Sequence, residues 1–278
     1  MTVAGPTLEE LEGRSGRPRA LLARRVAICV VYLTFSAVTV MIAYGGGALT
    51  MMAGNAPAGL AFAYGAVTAM KLLSFGGCLV IVATAGRSVV AVQWVLVGHG
   101  TWFIADLIAR QDPTQGVGGL VAQYLVLMVV YVGPWLLLAP ERWELFRLRA
   151  RPDRVAVATA LLALPLLGLW TWRMAHLQTP LAESNFDAVA IPLIWATTSF
   201  FAAVRPSGRR WLLGVVAAFA FYLGVVAVVS PSVDIGSPGL VGGLGLVLFA
   251  GIFTWRARQP VPTDHGAGLA GLKTAAQR

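Results

Sequence analysis

Three ionisable residues stand inside long apolar stretches of this chain and could carry chemistry. Lys71 interrupts the run AYGAVTAMKLLSFGG, although only two of the 21 basic residues are lysines. His99 and Asp106 lie seven residues apart in the next apolar run, and a helix would present both on one face. A lone charge in the middle of a bilayer costs roughly 2.5–3.5 kcal/mol. Residues of this type therefore indicate either mutual pairing or a binding site.

The relative depths of these residues favour a pair between Lys71 and Asp106. Arg87 lies between the two runs and serves as a common reference. At about 1.5 Å per helical residue, Lys71, His99 and Asp106 lie roughly 24, 18 and 28 Å from it. Helical side chains lean toward the amino end of their helix, so in antiparallel helices Lys71 and Asp106 lean toward each other. His99 leans away from Lys71, which makes Asp106 the expected partner.

Lys71 also belongs to a polar stripe. Tyr64, Thr68, Lys71, Ser74 and Cys78 follow one another at spacings of four, three, three and four. Because lipid offers no hydrogen bonds, this stripe should face the interior of a bundle. Hydroxyl groups also pack between helices without any chemistry, and a buried ion pair can serve only to fix helix register. The candidate substrate- or ion-binding residues are Lys71, Asp106, His99, Tyr64, Thr68, Ser74 and Gln123.

The composition indicates that membrane helices position these residues. Of the 278 residues, 58% are hydrophobic and 12% are charged, and the mean hydropathy is +0.75. Soluble domains carry about 25% charged residues, whereas about 20 apolar residues span a bilayer as a helix. We therefore predict an all-α, polytopic membrane bundle of about eight helices. The apolar runs are 26–44, 60–86, 88–109, 119–139, 155–175, 188–204, 211–230 and 238–255.

The basic residues predict the orientation of the bundle. With both termini in the cytoplasm, 18 of the 21 basic residues lie in inner segments, two lie in outer loops and Lys71 lies within a span. The predicted parts are a basic tail (1–25), a transmembrane domain (26–258) and a second cytoplasmic tail (259–278). The basic loop 140–154 divides the spans into halves, 26–139 and 155–258. A duplicated unit is one interpretation, although the side chains of the two halves match poorly. The loop itself is either an interfacial helix or a basic linker.

Several classes of site are not indicated. The net charge of +9 is explained by orientation and by contact with anionic lipid, so we expect no nucleic acid. The sequence has no P-loop, no H-E-x-x-H and no G-x-S-x-G motif. His99, His176 and His265 are far apart, and Cys29 and Cys78 lie in separate apolar runs, so we expect neither a metal site nor a cofactor. No motif indicates a particular family.

Three functions fit these features. The favoured one is a small-molecule permease or proton-coupled carrier with Lys71, Asp106 and His99 at a buried polar site. An enzyme acting on a lipid or isoprenoid, with Asp106 or Glu183 as general acid, is less favoured because paired carboxylates are missing. The third is a non-catalytic membrane subunit or scaffold. The abundance of Ala, Gly, Val and Arg suggests a bacterial cell membrane. The expected partners are the bilayer, with anionic lipid at the cytoplasmic face, and a small molecule or lipid.

Overall fold

A computed structural model describes residues 19–38, 41, 73–74, 76–109, 116–147, 151–176, 185–205, 207–229 and 238–259. Within these ranges the chain forms eight α-helices and one short 3-10 helix, and no β-strand. The 3-10 helix is Arg142–Phe146. The α-helices are α1 (Arg19–Val38), α2 (residues 73–74 and 76–83), α3 (Val89–Ala109), α4 (Val117–Leu138), α5 (Arg154–His176), α6 (Asn185–Val204), α7 (Arg209–Val229) and α8 (Gly239–Arg258).

The helices have the length and surface of a membrane bundle. Among the described residues, five helices (α1, α3, α4, α7 and α8) are long and apolar enough to cross a membrane, and α5 and α6 contain shorter apolar stretches. Large aliphatic side chains such as Leu137, Val229 and Val241 point outward with more than three quarters of their surface exposed. Aliphatic surface of this kind is suited to lipid rather than to water. The predicted fold class, an all-α membrane bundle, is confirmed.

Local sequence signals explain where several helices begin and end. The Ser88 hydroxyl accepts a hydrogen bond from the Ala91 N–H and caps α3. The Asp153 carboxylate does the same for α5 through the Ala156 N–H, at 3.0 Å. The turn after α2 contains Gly86, whose φ of 71° favours glycine and whose Cβ position would lie 2.8 Å from Ile28. The tight turn between α2 and α3 therefore requires glycine for two reasons.

The buried side chains form two clusters that share α3. One cluster joins residues of α1, α2, α3 and α4 with Leu145 of the 3-10 helix. The other joins residues of α5, α6, α7 and α8 with Leu73 of α2 and with Val90, Trp94 and Ala105 of α3. The duplication of residues 26–139 in 155–258 stays a prediction, but α3 contributes to both clusters and is the central element of the bundle.

Helices α7 and α8 approach each other closely through glycines. A Cβ atom at Gly224 would lie 2.7 Å from the Gly243 carbonyl oxygen, and one at Gly243 would lie 2.9 Å from both the Gly224 carbonyl oxygen and the Ala227 Cβ. Small residues permit this backbone contact, which replaces the packing of larger side chains. The two helices are therefore held by a backbone interface that a methyl group would force apart.

Gly224→Ala should lower the thermal unfolding temperature in detergent, since the new methyl group meets a backbone oxygen that cannot move aside. Overpacking of this kind costs about 1–3 kcal/mol. Gly214→Ala on the same helix is the matched control, because a Cβ there meets nothing within 4 Å. The control should be neutral or stabilising, as alanine favours a helix over glycine by about 1 kcal/mol. Equal melting temperatures for the two variants would contradict this interpretation of the α7–α8 interface.

Candidate functional site

His99 lies buried on α3 and faces α4. Its Nδ1 is 2.9 Å from the Val95 carbonyl oxygen, one turn earlier in the same helix, and its ring centroid is 4.5 Å from that of Tyr131. A carbonyl oxygen can only accept, so the neutral ring carries its proton on Nδ1. Proton exchange at this imidazole would therefore take place at Nε2. Tyr131 is further fixed by Phe35, and its carbonyl oxygen accepts the Tyr32 hydroxyl.

Asp106 lies two turns further along α3 and also faces α4. The Tyr124 hydroxyl donates to its Oδ2 at 3.4 Å, and the Tyr124 ring packs edge-on against Phe103. Asp106 is partly exposed, whereas His99 is almost fully buried. The predicted common wall for His99 and Asp106 is thus the α3–α4 interface.

The two contacts have the same spacing on both helices. His99 and Asp106 are seven residues apart on α3, and their partners Tyr131 and Tyr124 are seven apart on the antiparallel α4. We call these four side chains the α3–α4 polar ladder. Each of the two contacts combines an ionisable side chain with a tyrosine. The interface therefore has groups that can bind a proton at two depths between the same two helices.

Other polar side chains of α3 face α2 and α6. The Trp102 indole N–H donates to the Ser74 hydroxyl of α2 at 2.9 Å, and Ser74 is fully buried. The Thr101 and Thr197 hydroxyls are 2.9 Å apart and join α3 to α6. Gly98 lets α2 approach, since a Cβ there would lie 2.7 Å from the Ser74 carbonyl oxygen. Polar groups of α3 therefore contact three neighbouring helices.

The remaining predicted site residues differ in how the structure places them. Lys71, Tyr64 and Thr68 lie outside the described residues, so the pair between Lys71 and Asp106 stays a prediction. Ser74, one turn after Lys71 in the sequence, is in place beside α3. Gln123, predicted to belong to the site, is exposed next to Tyr124 on α4.

At the amino end of α3, away from Asp106, the ends of the first four helices meet around one carbonyl group. We call this the inner end, because the sequence predicts it to be cytoplasmic. The Gly86 carbonyl oxygen accepts the Arg25 guanidinium at 2.7 Å and the Trp135 indole N–H at 3.1 Å. Arg25 also forms an ion pair with Glu141. The first turns of α1, the α2–α3 turn and the end of α4 are joined in this way.

The ends of the last four helices meet at Asp153. Its carboxylate forms ion pairs with Arg209 at the start of α7 and with Arg256 near the end of α8. Its backbone N–H donates to the Ala203 carbonyl oxygen of α6 at 2.9 Å, and its side chain caps α5. Burial alone would raise the pKa of Asp153. The hydrogen bonds from Arg256 and Ala156 and the charges of Arg256 and Arg209 outweigh it, so the pKa lies below its usual range.

A third contact joins the two groups of helices at the inner end. The Arg205 guanidinium, between α6 and α7, donates to the Gln93 amide oxygen of α3, and burial lowers the pKa of Arg205. The Gln93 amide nitrogen donates to the Leu145 carbonyl oxygen of the 3-10 helix at 2.7 Å. Gln93 is buried and uses both ends of its amide. Sequence reasoning did not identify this contact, because its partners are 112 residues apart.

The polar groups on and around α3 are of types that take part in hydrogen bonding and proton exchange. No group of three metal-ligating side chains occurs within the part of the chain that the structure describes. Helix α3 contributes an imidazole, a carboxylate and the Thr101 hydroxyl, and the facing helices add two phenols and the hydroxyls of Ser74 and Thr197. They can donate, accept and exchange protons.

Comparisons with protein-family models, with curated proteins and with solved structures found no match. The function of the chain is therefore argued from its own residues and contacts.

Asp153→Asn should destabilise the protein while keeping the helix cap, because asparagine caps helices about as well as aspartate. Removing one partner from a buried ion pair costs about 3–5 kcal/mol. In the wild type, the lowered pKa of Asp153 stabilises the fold above the unfolded value of about 3.9, and this contribution is lost as the pH falls through the folded value. The difference in melting temperature between wild type and variant should therefore be full at pH 7 and should narrow as the pH falls below about 3.9.

Glu144→Gln is the control for this experiment. Glu144 pairs with Arg147 at the surface, and a pair of this kind contributes about 0–1 kcal/mol. A melting temperature for Asp153→Asn that matches this control at pH 7 would show that the Asp153 cluster does not hold the helix ends.

Gly98→Ala and Gly100→Ala should separate the two glycines that flank His99. The first places a methyl group against the Ser74 backbone and should lower the melting temperature, at a cost of about 1–3 kcal/mol. The second meets nothing within 4 Å and should be neutral or slightly stabilising. Thermal unfolding in detergent measures the melting temperature of each variant. Destabilisation by Gly100→Ala alone would contradict the assignment of Gly98 as the glycine that packs against α2.

Proposed function

We propose that this protein is a small-molecule carrier of a bacterial cell membrane that couples transport to protons. The site would comprise the α3–α4 polar ladder together with Lys71. The observation that carries the proposal is the pairing of His99 with Tyr131 and of Asp106 with Tyr124 along one helix interface. Ionisable groups between membrane helices are rare and mark ion or substrate routes.

The position of the ladder supports a proton-linked role. His99 is buried and Asp106 is partly exposed, so a proton could pass from a group that solvent or solute reaches to one that is sealed. An imidazole can both accept and donate a proton, which suits a relay driven by a cellular proton gradient. Lys71, if it joins this site, would supply a positive charge that neutralises Asp106 until a solute or proton displaces it.

The uneven distribution of ion pairs along the bundle also supports a carrier. Among the described residues, the ion pairs lie at the inner end, around Glu141, Glu144 and Asp153. Alternating access requires one side of a carrier to be closed by contacts that can break and reform. The contact of Arg205 with Gln93 is suited to this role, because it joins the two groups of helices through side chains.

The test begins with the identity of the solute. Native mass spectrometry of the gently purified protein should reveal a bound small polar molecule, and its labelled form then serves as the flux probe in proteoliposomes. Wild-type uptake should increase with an inward proton gradient. Lys71→Met and Asp106→Asn should each lower the uptake rate about tenfold or more, equivalent to about 1.4 kcal/mol.

Thr34→Val is the control, since the exposed Thr34 hydroxyl donates to the Val30 carbonyl oxygen of its own helix. Its uptake should equal that of the wild type. Unchanged uptake in both charge variants, at normal protein yield and melting temperature, would refute the carrier proposal. A retained lipid that is converted by the wild type but not by Asp106→Asn would favour an enzyme.

A non-catalytic scaffold is the second candidate, and a specific observation favours it. Several hydroxyls within the helices donate to a carbonyl oxygen one turn earlier, which satisfies them without any ligand. Examples are Ser36 to Tyr32, Thr101 to Val97 and Ser199 to Trp195. For a scaffold, another polypeptide should remain bound in the mass spectrum, and Lys71→Met should change only thermal stability.

A further inference from the structure

The 3-10 helix Arg142–Phe146 presents two exposed aromatic side chains from a fixed backbone. Trp143 is 69% exposed and Phe146 is 67% exposed, and their ring centroids are 6.4 Å apart. Leu145 between them is buried in the first core cluster, and its carbonyl oxygen is held by Gln93. The two aromatic rings are therefore held outward by a rigid element.

This aromatic pair lies at a strongly basic end of the molecule. The inner end holds 13 arginines and three carboxylates within the described residues. Each carboxylate already has an arginine partner: Glu141 has Arg25, Glu144 has Arg147, and Asp153 has Arg209 and Arg256. Nine of these arginines are exposed, namely Arg19, Arg24, Arg87, Arg142, Arg147, Arg151, Arg154, Arg210 and Arg258. The exposed surface of this end is thus suited to anions.

Arg142 joins the two features. Its guanidinium lies 5.7 Å from the centroid of the Trp143 ring, and it forms no ion pair with the carboxylates described at this end. The pairing of Arg25 with Glu141 sets the beginning of α1, with the exposed Arg24, beside the start of the 3-10 helix. A cation next to an exposed indole matches the boundary between headgroups and acyl chains, where tryptophan is enriched.

We propose that the 3-10 helix and the neighbouring arginines form a binding site for a phospholipid with a negatively charged headgroup in the inner leaflet. Trp143 and Phe146 enter the level of the upper acyl chains, and Arg142 contacts the phosphate. A soluble anion would explain the arginines but would leave the two aromatic rings in water. Lipid is the one occupant that satisfies both.

The test uses the full chain in a mild non-ionic detergent, titrated with phosphatidylglycerol or with phosphatidylcholine of the same acyl chains. Native mass spectrometry counts the lipids bound at each concentration. The wild type should bind phosphatidylglycerol more tightly. Arg142→Gln should weaken that binding about fivefold, as expected for one basic residue at an anionic surface, and should leave phosphatidylcholine binding unchanged.

Arg258→Gln is the matched control, because Arg258 is an exposed arginine at the end of α8, away from the 3-10 helix. It should change phosphatidylglycerol binding less than Arg142→Gln does. Trp143→Ala should weaken the binding of both lipids, and brominated acyl chains should quench less fluorescence in Trp143→Phe than in the wild type. Equal effects of the two arginine variants, or displacement of phosphatidylglycerol by inorganic phosphate, would overturn the proposed site.

Discussion

The structure depends on keeping arginines paired where helices meet at a low-dielectric boundary. The Asp153 carboxylate caps α5 and pairs with α7 and α8, and its backbone N–H bonds to α6, so one residue sets the relative positions of four helix ends. The Gly86 carbonyl oxygen has the same role for the first four helices, with Arg25 and Trp135 as donors. In both cases the charge is stabilised by hydrogen bonds from several elements, which is the condition under which burying an ion is tolerated.

This arrangement gives the two ends of the bundle different physical properties. At the inner end, long arginine side chains reach across helix boundaries and fix them. Further along α3, His99, Thr101, Trp102 and Asp106 interact through hydrogen bonds and ring contacts and not through the arginine ion pairs described at the inner end. Weak polar contacts can be exchanged for contacts with a solute at small cost, whereas the Asp153 cluster cannot be opened without exposing buried charge. A carrier needs both a fixed end and a region of exchangeable polar contacts, whereas a scaffold needs only the fixed end.

Much of the fold could be predicted from sequence, because about 20 apolar residues in a row have few structures other than a membrane helix. Helix α1 already includes Arg19, before the uncharged run that starts at Val26, since arginines near a helix end can extend toward polar surroundings. The spacing of seven residues also placed His99 and Asp106 on one face of their helix. The sequence does not show which helix packs against this face of α3. To predict Tyr124 and Tyr131 as the partners on α4, one must know how the helices are rotated and packed. The contact between Gln93 and Arg205 has no local signal at all, whereas Asp153 could have been noticed as an acidic residue directly before a helix in an arginine-rich loop.

The glycine contact between α7 and α8 also limits where hydrophobic molecules can enter. With the Gly224 and Gly243 backbones in direct apposition, no acyl chain or apolar solute fits between these two helices at that depth. Lateral access from the bilayer to the interior would have to occur along another seam of the bundle. The α3–α4 seam differs, because its contacts around His99 and Asp106 run through aromatic side chains, which can rotate without moving the backbone.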